Sequence, residues 1–570
     1  MTDLTTATAG TITAGTATAS TTTAVGITAP AVPAPRTAVL DDAHVGDIRG
    51  ALGTIKSGDT ASRQGLSAKL KTLLAIIGPG LIVMVGDNDA GAFGTYSQAG
   101  QNYGTSLLWT LLLLIPVLYV NQEMVLRLGA VTGVGHARLI LERFGKFWGA
   151  FSVIDLFLLN ALTIVTEFIG ITLAVGYLGL PKVPSVLLAA VIVVAAASTG
   201  SFRRFERTAI LLCAGSLLLI PIYFIAHPPA GRMAHDFVVP GMPHGSQLSD
   251  VMLLIIAIVG TTVAPWQLFF QQSYVIDKRI TPRFMRYEKA DLWLGIVIVV
   301  IGAAAMMGFT AAAFTGHAGS GGFTDAAGVA SGLEKYAGRT AGVLFAVALL
   351  DASIIGASAV SLSTAYAIGD VMGLKHSLHR GIRGAKGFYA VFAGLILTAA
   401  VIVVIPGSPL GLLTEGVQTL AGVLLPSASV FLLLLCNDKS VLGPWVNGRA
   451  TNIFTSVVVA VLVTLSVILT AAVVFPGITS GAILDIMGIC GVAGILALGY
   501  AETRRRRKGW AFAAPVDRAG KENWRMPPLD ELPAPVVSTG RKIGLTALRV
   551  YLLAAMILVI VRIAQLALGH

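Results

Sequence analysis

The sequence predicts an all-α membrane protein: two inverted halves of five helices, with helices 1 and 6 broken, followed by additional C-terminal helices. Composition supports the class, because the 570-residue chain is 55% hydrophobic and only 12% charged, about half the charged fraction of a typical soluble domain. Its apolar residues fall into runs long enough to cross a bilayer, which takes about 20 residues each. Two of those runs, five apart in order, are interrupted by glycine and proline, which predicts the two halves.

Thirteen apolar runs reach the length that a membrane helix needs, and we predict one helix in each. Their approximate ranges are 72–95, 104–127, 149–177, 183–199, 207–226, 250–274, 289–315, 340–369, 387–406, 411–436, 451–475, 482–500 and 545–568. The loops after the even-numbered runs carry most of the lysine and arginine, as in the stretch from Arg504 to Lys508. Basic loops stay on the cytoplasmic side, so we expect a multi-pass plasma-membrane protein with a cytoplasmic N-terminus.

The remaining composition excludes other classes of function. A net charge of +11 could indicate a nucleic-acid partner, but the cations lie in short loops and form no basic face. Cys213, Cys436 and Cys490 are odd in number and widely spaced, so they predict neither a disulfide framework nor a metal cluster. No nucleotide-binding loop, Ser-His-Asp set or zinc-protease motif stands out. We therefore expect a protein that is not an enzyme, holds no cofactor and has the bilayer as a partner, with a monomer as the working expectation.

Four regions follow from the distribution of apolar and polar residues. Residues 1–68 are rich in threonine and alanine, contain no apolar run and predict a disordered cytoplasmic tail. Residues 69–226 are predicted to form the first five-helix repeat, and residues 227–436 the second. Residues 437–570 are predicted to hold the additional helices, with a basic cytoplasmic loop near 501–544.

The first interruption lies in the first apolar run and contains two acids. After Gly78-Pro79-Gly80, Asp87 and Asp89 stand in an otherwise hydrophobic stretch. A carboxylate at this depth is costly unless a partner compensates for it, so it marks an ion or substrate path. The neighbouring glycines allow the helix to unwind where its backbone faces a cavity. This stretch therefore predicts a cation path.

The second interruption lies in the sixth run, where the segment from Gly260 to Pro265 places glycine and proline inside an apolar helix. Glycine and proline also occur in ordinary membrane helices, where they produce simple kinks. Breaks at corresponding positions of two halves, one of them acidic, favour instead an inverted-repeat transporter whose binding site lies between the halves.

Four motifs in these runs form a specific set. They are Gly78-Pro79-Gly80 with Asp89-Ala90-Gly91-Ala92-Phe93, then Arg127-Leu128-Gly129-Ala130-Val131-Thr132-Gly133, then Gly260 to Pro265, and Gln418 with Leu425-Pro426. As a set they resemble the NRAMP family of divalent-metal transporters, over about residues 70–475. The resemblance implies a LeuT-like fold, ten core helices in two inverted repeats, and transport by alternating access.

The resemblance also implies a metal site, at which this chain departs from the family. Family members bind metal through the Asp and Asn of the first motif, a backbone carbonyl and a Met thioether of helix 6, and a Gln of helix 10 faces the site. Matched by position, these are Asp89, Ala92, the carbonyl of Thr261, Ala264 and Gln418. The amide and the sulfur are absent. A thioether suits soft transition metals, whereas Mg²⁺ takes oxygen ligands and keeps its waters, so we expect a roomy site for a hard, partly hydrated ion.

Two further departures concern protons. The family's helix-6 His corresponds to Trp266, and its Asp-x-x-Glu pair in helix 3 corresponds to Ile164 and Glu167. A proton relay needs a chain of titratable groups, so we expect weak proton coupling or none, with Glu167 as a supporting acid or a remnant of the relay. The pattern is similar to that of NRAMP-related magnesium transporters, a branch that carries Mg²⁺ and Mn²⁺ without proton coupling.

Four polar residues remain open to two interpretations. Asp87 would face away from Asp89 on a helix but could join the site if the segment is unwound. Asp351, amid small residues, could attract cations along the pathway or accept ordinary hydrogen bonds. Gln271 belongs to a glutamine stripe that could line a hydrated exit or pack against other helices. Gln418 could offer a carbonyl oxygen to the ion or bond to another helix.

The predicted function is secondary transport of divalent cations, with Mg²⁺ or Mn²⁺ as the transported substrate. The alternative within the class is the proton-coupled Mn²⁺ or Fe²⁺ transport that is common in the family, against which the missing Met and His argue. A second alternative is an organic-substrate symporter on the same fold. Asp87 and Asp89 would repel the carboxylate of such a substrate.

Overall fold

Helices account for most of the chain, as the apolar runs predict. The computed structural model describes residues 38–243, 245–406, 410–475, 477–507, 518–535 and 539–567. A small antiparallel hairpin of β1 (Ile48–Arg49) and β2 (Thr54–Ile55) precedes the helices. The class is therefore the predicted all-α membrane protein.

Helix 1 of the predicted first half consists of three pieces, α1 (Leu66–Ile76), α2 (Pro79–Val85) and α3 (Ala90–Tyr103). The predicted helices 2 to 5, together with one short connecting helix, follow in chain order. They are α4 (Trp109–Thr132), the connecting α5 (His136–Phe144), α6 (Lys146–Tyr177), α7 (Lys182–Ala197), and helix 5 as α8 (Phe202–Cys213) with α9 (Leu219–Ala226).

The predicted second half repeats this order after a short linking helix, α10 (Ala230–Val238). Helix 6 consists of α11 (Leu248–Thr262) and α12 (Pro265–Asp277). Helices 7 to 10 follow, with one short helix between the first two of them. They are α13 (Met285–Phe314), the short α14 (Ala326–Ala337), α15 (Arg339–Met372), α16 (Lys386–Val404) and α17 (Leu410–Leu435).

Additional C-terminal helices are present, as the sequence predicts. They are the single-turn α18 (Lys439–Leu442), α19 (Arg449–Val474), α20 (Ser480–Arg507) and α21 (Thr539–Ala567). Both α19 and α21 pack on α17, so these helices extend the side of the bundle that helix 10 forms.

Within the described residues, nine helices are long and apolar enough to cross a membrane, or ten when the bent pair α1 and α2 counts as one span. Each of the thirteen predicted runs nevertheless coincides with a helix or with consecutive helices. Part of the difference arises because helix 1 is broken and some of the other helices are short. The fourth run, for example, forms α7, which has only 16 residues.

Helix 1 bends before it unwinds. Gly78 connects α1 and α2 with a φ of +152°, which favours glycine, and the two helices meet at 54°. Lys278 Nζ donates to the carbonyl of Ile77 at 2.8 Å. Asp291 accepts from the N–H of Gly80 at 2.7 Å. Backbone groups freed by the bend thus find partners from the end of α12 and from α13, as buried backbone requires.

Both predicted breaks are present. Between Val85, the end of α2, and Ala90, the start of α3, residues 86–89 are unwound. In helix 6, α11 ends at Thr262 and α12 begins at Pro265. Proline has no N–H and is favoured at the first position of a helix, so it ends one helix and starts the next.

Close packing around helix 1 depends on glycine. A Cβ at Gly80 of α2 would lie 2.6 Å from the backbone of Leu292 in α13, and one at Gly295 would lie 2.6 Å from the carbonyl oxygen of Gly80. In the same way α6 packs along α15, which are helices 3 and 8 of the two halves. Small residues at such crossings let helix backbones approach each other in a membrane.

Residues 38–68 differ from the predicted disordered tail. They contain the β1–β2 hairpin in the register Ile48 to Ile55, and Ala51 within it is only 1% exposed. The prediction of disorder is wrong for this part, because polar groups of the membrane helices bind its backbone, a source of order that apolar runs do not reveal. Residues 1–37, the rest of the predicted tail, lie outside the described residues.

We expect Gly80→Ala and Gly295→Ala to lower the stability of the protein in detergent, since each added methyl group collides with fixed backbone. Overpacking of this kind costs about 1–3 kcal/mol. Stability is measured as the monodisperse fraction in size-exclusion chromatography after heating. Gly394→Ala is the control, because a Cβ at Gly394 meets nothing within 4 Å. Equal heat resistance of all three variants would contradict the described contact of α2 with α13.

Candidate functional site

The unwound segment of helix 1 places two carboxylates inside the bundle. Asp87 is fully buried, and Asp89 is 6% exposed. Asp89 is also the N-cap of α3, where its Oδ1 accepts from the N–H of Ala92 at 3.0 Å, a common role for aspartate. Its side chain is therefore fixed at the start of α3, and both acids lie at the break that the sequence predicts.

A third carboxylate comes from helix 3. Glu167 of α6 is fully buried, and its Oε2 accepts from the N–H of Ala90 at 3.2 Å. Its carboxyl group lies beside that of Asp89. Gly356 of α15 lies against both acids, since a Cβ there would be 2.7 Å from Glu167 Oε2 and 3.0 Å from Asp89 Cβ. We call Asp87, Asp89 and Glu167 the carboxylate cluster.

Two glutamines hold the other acid. The side-chain amide of Gln267, in α12, donates to Asp87 Oδ1. Gln122 of α4 donates to Gln267 Oε1 at 2.9 Å. Asp87 is therefore tied to helices 2 and 6, which resolves the open question about its direction: it points into the bundle and toward the break in helix 6. Its Oδ2 has no hydrogen-bond partner among the described residues.

The break in helix 6 supplies backbone oxygens. Pro265 has no N–H, so it cannot donate to the carbonyl of Thr261 as the fourth residue of a continuing helix would. The carbonyl of Thr262 accepts from Gln267 Nε2 at 3.4 Å, and Tyr96 of α3 bonds to the Thr262 hydroxyl at 2.7 Å. Ala264, the N-cap of α12, has extended backbone. The two breaks are thus linked through Gln267 and Tyr96.

Several buried oxygens at this place lack partners among the described residues, namely Asp87 Oδ2, Asn88 Oδ1 and Glu167 Oε1. A buried anionic oxygen without a donor is costly, and a cation would compensate for it. No group of three His, Cys, Asp or Glu side chains in the described part of the chain has metal-ligand geometry. A cation here would therefore also need carbonyl or water ligands, which suits a hard ion.

A polar stripe leaves the site along α12. Gln267, Gln271 and Tyr274 are spaced at i, i+4 and i+7, which puts them on one helix face, and all three are fully buried. Neither polar atom of the Gln271 side chain, nor the Tyr274 hydroxyl, has a partner among the described residues. This arrangement favours the hydrated-exit interpretation of the glutamine stripe.

Trp266 occupies the position of the family's histidine and is 1% exposed. Its indole ring comes within 3.9 Å of where a Cβ of Gly86 would be, so it packs against the unwound segment of helix 1. Ser363 Oγ of α15 donates to its carbonyl at 2.9 Å. An apolar ring therefore covers the place where the family has a titratable group.

Two predicted residues stand outside this group of contacts. The carboxylate of Asp351 lies against Gly215 beside helix 5, and Asp351 is five residues from Gly356, which puts it on another face of α15. It is not in contact with the carboxylate cluster. The side chain of Gln418 in α17 lies outside the described residues, so its predicted role stays a prediction.

Sequence reasoning missed two residues of the site, Gln122 and Gly356, and left the role of Gln267 open. Gln122 is an amide within the second apolar run, and a polar group at that depth was the signal available. Gly356 is one of the small residues around Asp351, and its contact with helix 3 depends on helix packing that a sequence does not show. Gln267 lies two residues after Pro265 and belongs to the glutamine stripe, but its bond to Asp87 depends on how helices 1 and 6 face each other.

The family model described as "Natural resistance-associated macrophage protein-like" matches residues 80–472. The chain belongs to the Nramp family. Among its Nramp relatives, the divalent metal cation transporter MntH of Burkholderia ambifaria is 27% identical over 427 residues, with 71% of this chain and 90% of the relative covered. The protein of the same name from Ralstonia nicotianae is 31% identical over 402 residues, with 67% and 87% covered.

Solved structures agree on the fold. The manganese transporter of Eremococcus coleocola, crystallised with an aromatic bis-isothiourea compound, superposes with a TM-score of 0.62 at 20% identity. The match covers 81% of this chain and 98% of that transporter. At this identity the likeness concerns the fold, and it confirms the predicted LeuT-like arrangement of an Nramp protein with broken helices 1 and 6.

We expect Gly356→Ala to weaken binding of Mn²⁺ and Mg²⁺ by at least about tenfold, the scale of losing support for a metal ligand. The added methyl group would push Glu167 away from Asp89. Binding is measured by isothermal titration calorimetry on purified protein. Gly394→Ala again serves as the control, and unchanged affinity in both variants would contradict a role for the Asp89–Glu167 pair.

Proposed function

We propose that the protein is a secondary transporter of divalent cations that works by alternating access, with Mg²⁺ as its characteristic substrate and Mn²⁺ as a second one. The observation that carries the proposal is the carboxylate cluster at the junction of two broken helices, with buried oxygens that have no donor in the part of the chain that the structure describes. Nramp relatives named as divalent metal cation transporters support the same class of substrate.

Charge argues for a cation over an organic substrate. The cluster is acidic, and Lys278 lies at the other end of α2, where it binds the carbonyl of Ile77. A substrate carboxylate would meet Asp87 and Asp89 rather than a free helix N-terminus, because Asp89 already caps α3. The organic-substrate alternative is therefore disfavoured.

The choice between Mg²⁺ and Mn²⁺ depends on the ligands. The Eremococcus coleocola protein that this chain resembles in fold is named a manganese transporter. That name supports Mn²⁺ as the substrate and the alternative of proton-coupled Nramp transport. The residues support Mg²⁺, because Ala92 and Ala264 stand where the resemblance implies an amide and a thioether. Oxygen donors alone, with room left for water, suit an ion that dehydrates reluctantly.

The proposed transport is not coupled to protons. Trp266 and Ile164 replace the titratable groups that the resemblance implies, and both are buried. Glu167 remains, but it accepts from the backbone N–H of Ala90 and lies beside Asp89. It therefore supports the ion site rather than continuing a relay. We place the protein in the plasma membrane with its basic loops in the cytoplasm, from the distribution of loop charge.

The direct test is uptake by purified protein in liposomes loaded with a Mg²⁺-sensitive or a Mn²⁺-sensitive dye. We expect both ions to enter, and Asp89→Ala to reduce both rates by at least about tenfold. Asp485→Ala is the matched control, because Asp485 is an exposed acid on α20. Undiminished uptake by Asp89→Ala would contradict the site, and entry of Mn²⁺ without Mg²⁺ would establish the alternative substrate.

The ligand argument has its own test. We expect the double variant Ala92→Asn with Ala264→Met to favour Mn²⁺ over Mg²⁺ by about tenfold more than the unmodified protein, which corresponds to 1.4 kcal/mol. Competition between the two ions in the liposome assay measures the ratio. Each single variant is the control for a merely steric effect. An unchanged ratio in the double variant would refute the role of the two alanines.

Coupling is measured in the same liposomes with an internal pH dye. We expect no acidification during metal entry and no stimulation by an inward proton gradient, since Trp266 interrupts the relay. The Asp89→Ala variant reports proton leak that is unrelated to transport. Metal-dependent acidification that disappears in this variant would overturn the uncoupled mechanism.

A further inference from the structure

The segment from Ala38 to Ile55, which we call the clamp, lies across one face of the bundle. Its residues contact the loops and helix ends that follow the predicted second, fourth, sixth and eighth runs. These are basic loops, so the clamp shares their face, which we assigned to the cytoplasm from loop charge. It covers the end of the bundle toward which the polar stripe of α12 leads.

Arginines of the membrane helices hold the clamp by its backbone. Arg203 Nε donates to the carbonyl of Gly50 at 3.0 Å, and Arg207 Nε to that of Ala51 at 2.9 Å. Arg279 donates to the carbonyl of Ala43 at 2.9 and 2.7 Å. Charged donors on neutral carbonyls form stronger hydrogen bonds than neutral pairs do, so three arginines from two loops fix this segment.

Acid and histidine side chains add a second set of contacts. Arg380 bonds to Asp41 at 2.7 Å, and Asp41 accepts from the N–H of His376 at 3.0 Å. Burial opposes ionisation of Asp41, but these bonds lower its pKa below the usual range, so the pair is charged at neutral pH. His44 donates to the carbonyl of His376 at 3.0 Å and lies 3.5 Å from Asp277, the last residue of α12.

The clamp is connected to the bend of helix 1 through one buried ion pair. Glu206 Oε2 accepts from the N–H of Ala51 at 2.5 Å, and its Oε1 lies 2.7 Å from Lys278 Nζ. Lys278 donates in turn to the carbonyls of Ile76 and Ile77 at the bend. A continuous series of contacts therefore connects the clamp to the hinge at Gly78, between α1 and α2.

Steric contact reinforces that connection. A Cβ at Gly50 would lie 2.0 Å from the carbonyl oxygen of Ala75, in the last turn of α1, and one at Gly53 would lie 2.8 Å from Ala75 Cβ. The hairpin thus rests directly on α1. Any outward swing of α1 and α2 at Gly78 would have to displace the hairpin.

We propose that the clamp is an autoinhibitory gate, which locks the hinge of helix 1 in the closed position and must detach before an ion can leave on the clamp's side. The polar stripe of Gln267, Gln271 and Tyr274 runs along α12 toward the clamp, and Tyr274 lies near Glu206. The clamp buries few large apolar side chains, chiefly Ile48 and Ile55. Segments with little apolar burial open at low free energy, as a gate requires.

A reversible cross-link tests the gate. The Cβ of Val39 is 4.0 Å from the position of a Cβ on Gly133, at the end of α4, which is within the range of disulfides. In liposomes, the double variant Val39→Cys with Gly133→Cys should lose most Mn²⁺ and Mg²⁺ uptake after oxidation and regain it after reduction. The reduced form of the same protein is the baseline, which removes any effect of the left-handed φ at Gly133.

The single variants Val39→Cys and Gly133→Cys are the controls, because they meet the same oxidant without a partner. Full uptake by the oxidised double variant, with the cross-link confirmed by mass spectrometry, would overturn the gate. Since Mn²⁺ and Mg²⁺ are both measured, the outcome does not depend on which ion the protein prefers.

Steric release is the opposite test. Gly50→Val would collide with Ala75, whereas Gly58→Val would meet nothing within 4 Å. We expect Gly50→Val to accelerate hydrogen–deuterium exchange in residues 48–55 and to raise the initial rate of uptake, and Gly58→Val to change neither. Faster exchange with an unchanged or lower rate would mean that the segment is a structural brace, and would refute autoinhibition.

Discussion

Buried polar groups in a membrane must find their hydrogen-bond partners inside the protein, and the fold depends on this constraint. Helix 1 gives up its own hydrogen bonds twice, at Gly78 and at residues 86–89. Each time, side chains of other helices bind the freed backbone groups: Asp291 and Lys278 at the first place, and Glu167 at the second. Because lipid offers no donors, these contacts decide where the chain can unwind, and so where a site can form.

The piece between these two places, α2, is a short rod. Its seven residues span about 10 Å at 1.5 Å per residue. One end carries Asp87 and the other the hinge that the clamp covers. Gly80 of α2 and Gly295 of α13 let the two helices pack so closely that the rod has little freedom to deform. Motion at the hinge would therefore reach the proposed ion site, which is the coupling that alternating access needs.

Much of this arrangement could be predicted from the sequence, because lipid makes sequence signals strong. Apolar length, loop charge and the positions of Gly and Pro gave the helices and both breaks. Gln122 could be noticed as an amide within an apolar run, but its partner could not be predicted, and Gly356 was out of reach, since both contacts depend on which helix faces which. The order of residues 38–55 was missed for a different reason. Arginine side chains hold this segment by its backbone carbonyls, which every sequence has, so no sequence pattern marks it.

The two proposals bear on one another through the proposed lack of proton coupling. In a carrier that couples metal to protons, the proton gradient limits metal transport. Metal therefore does not exchange freely across the membrane while such a carrier is at rest. With Trp266 in place of a titratable group, the movement of the ion would not depend on protons. Hydrated cations would then pass down their own gradient in every transport cycle. A separate lock on the hinge then restores control. The buried Glu206–Lys278 pair suits that task, because Glu206 accepts from the N–H of Ala51 while the clamp is bound and loses this donor once the clamp departs, which favours the locked state.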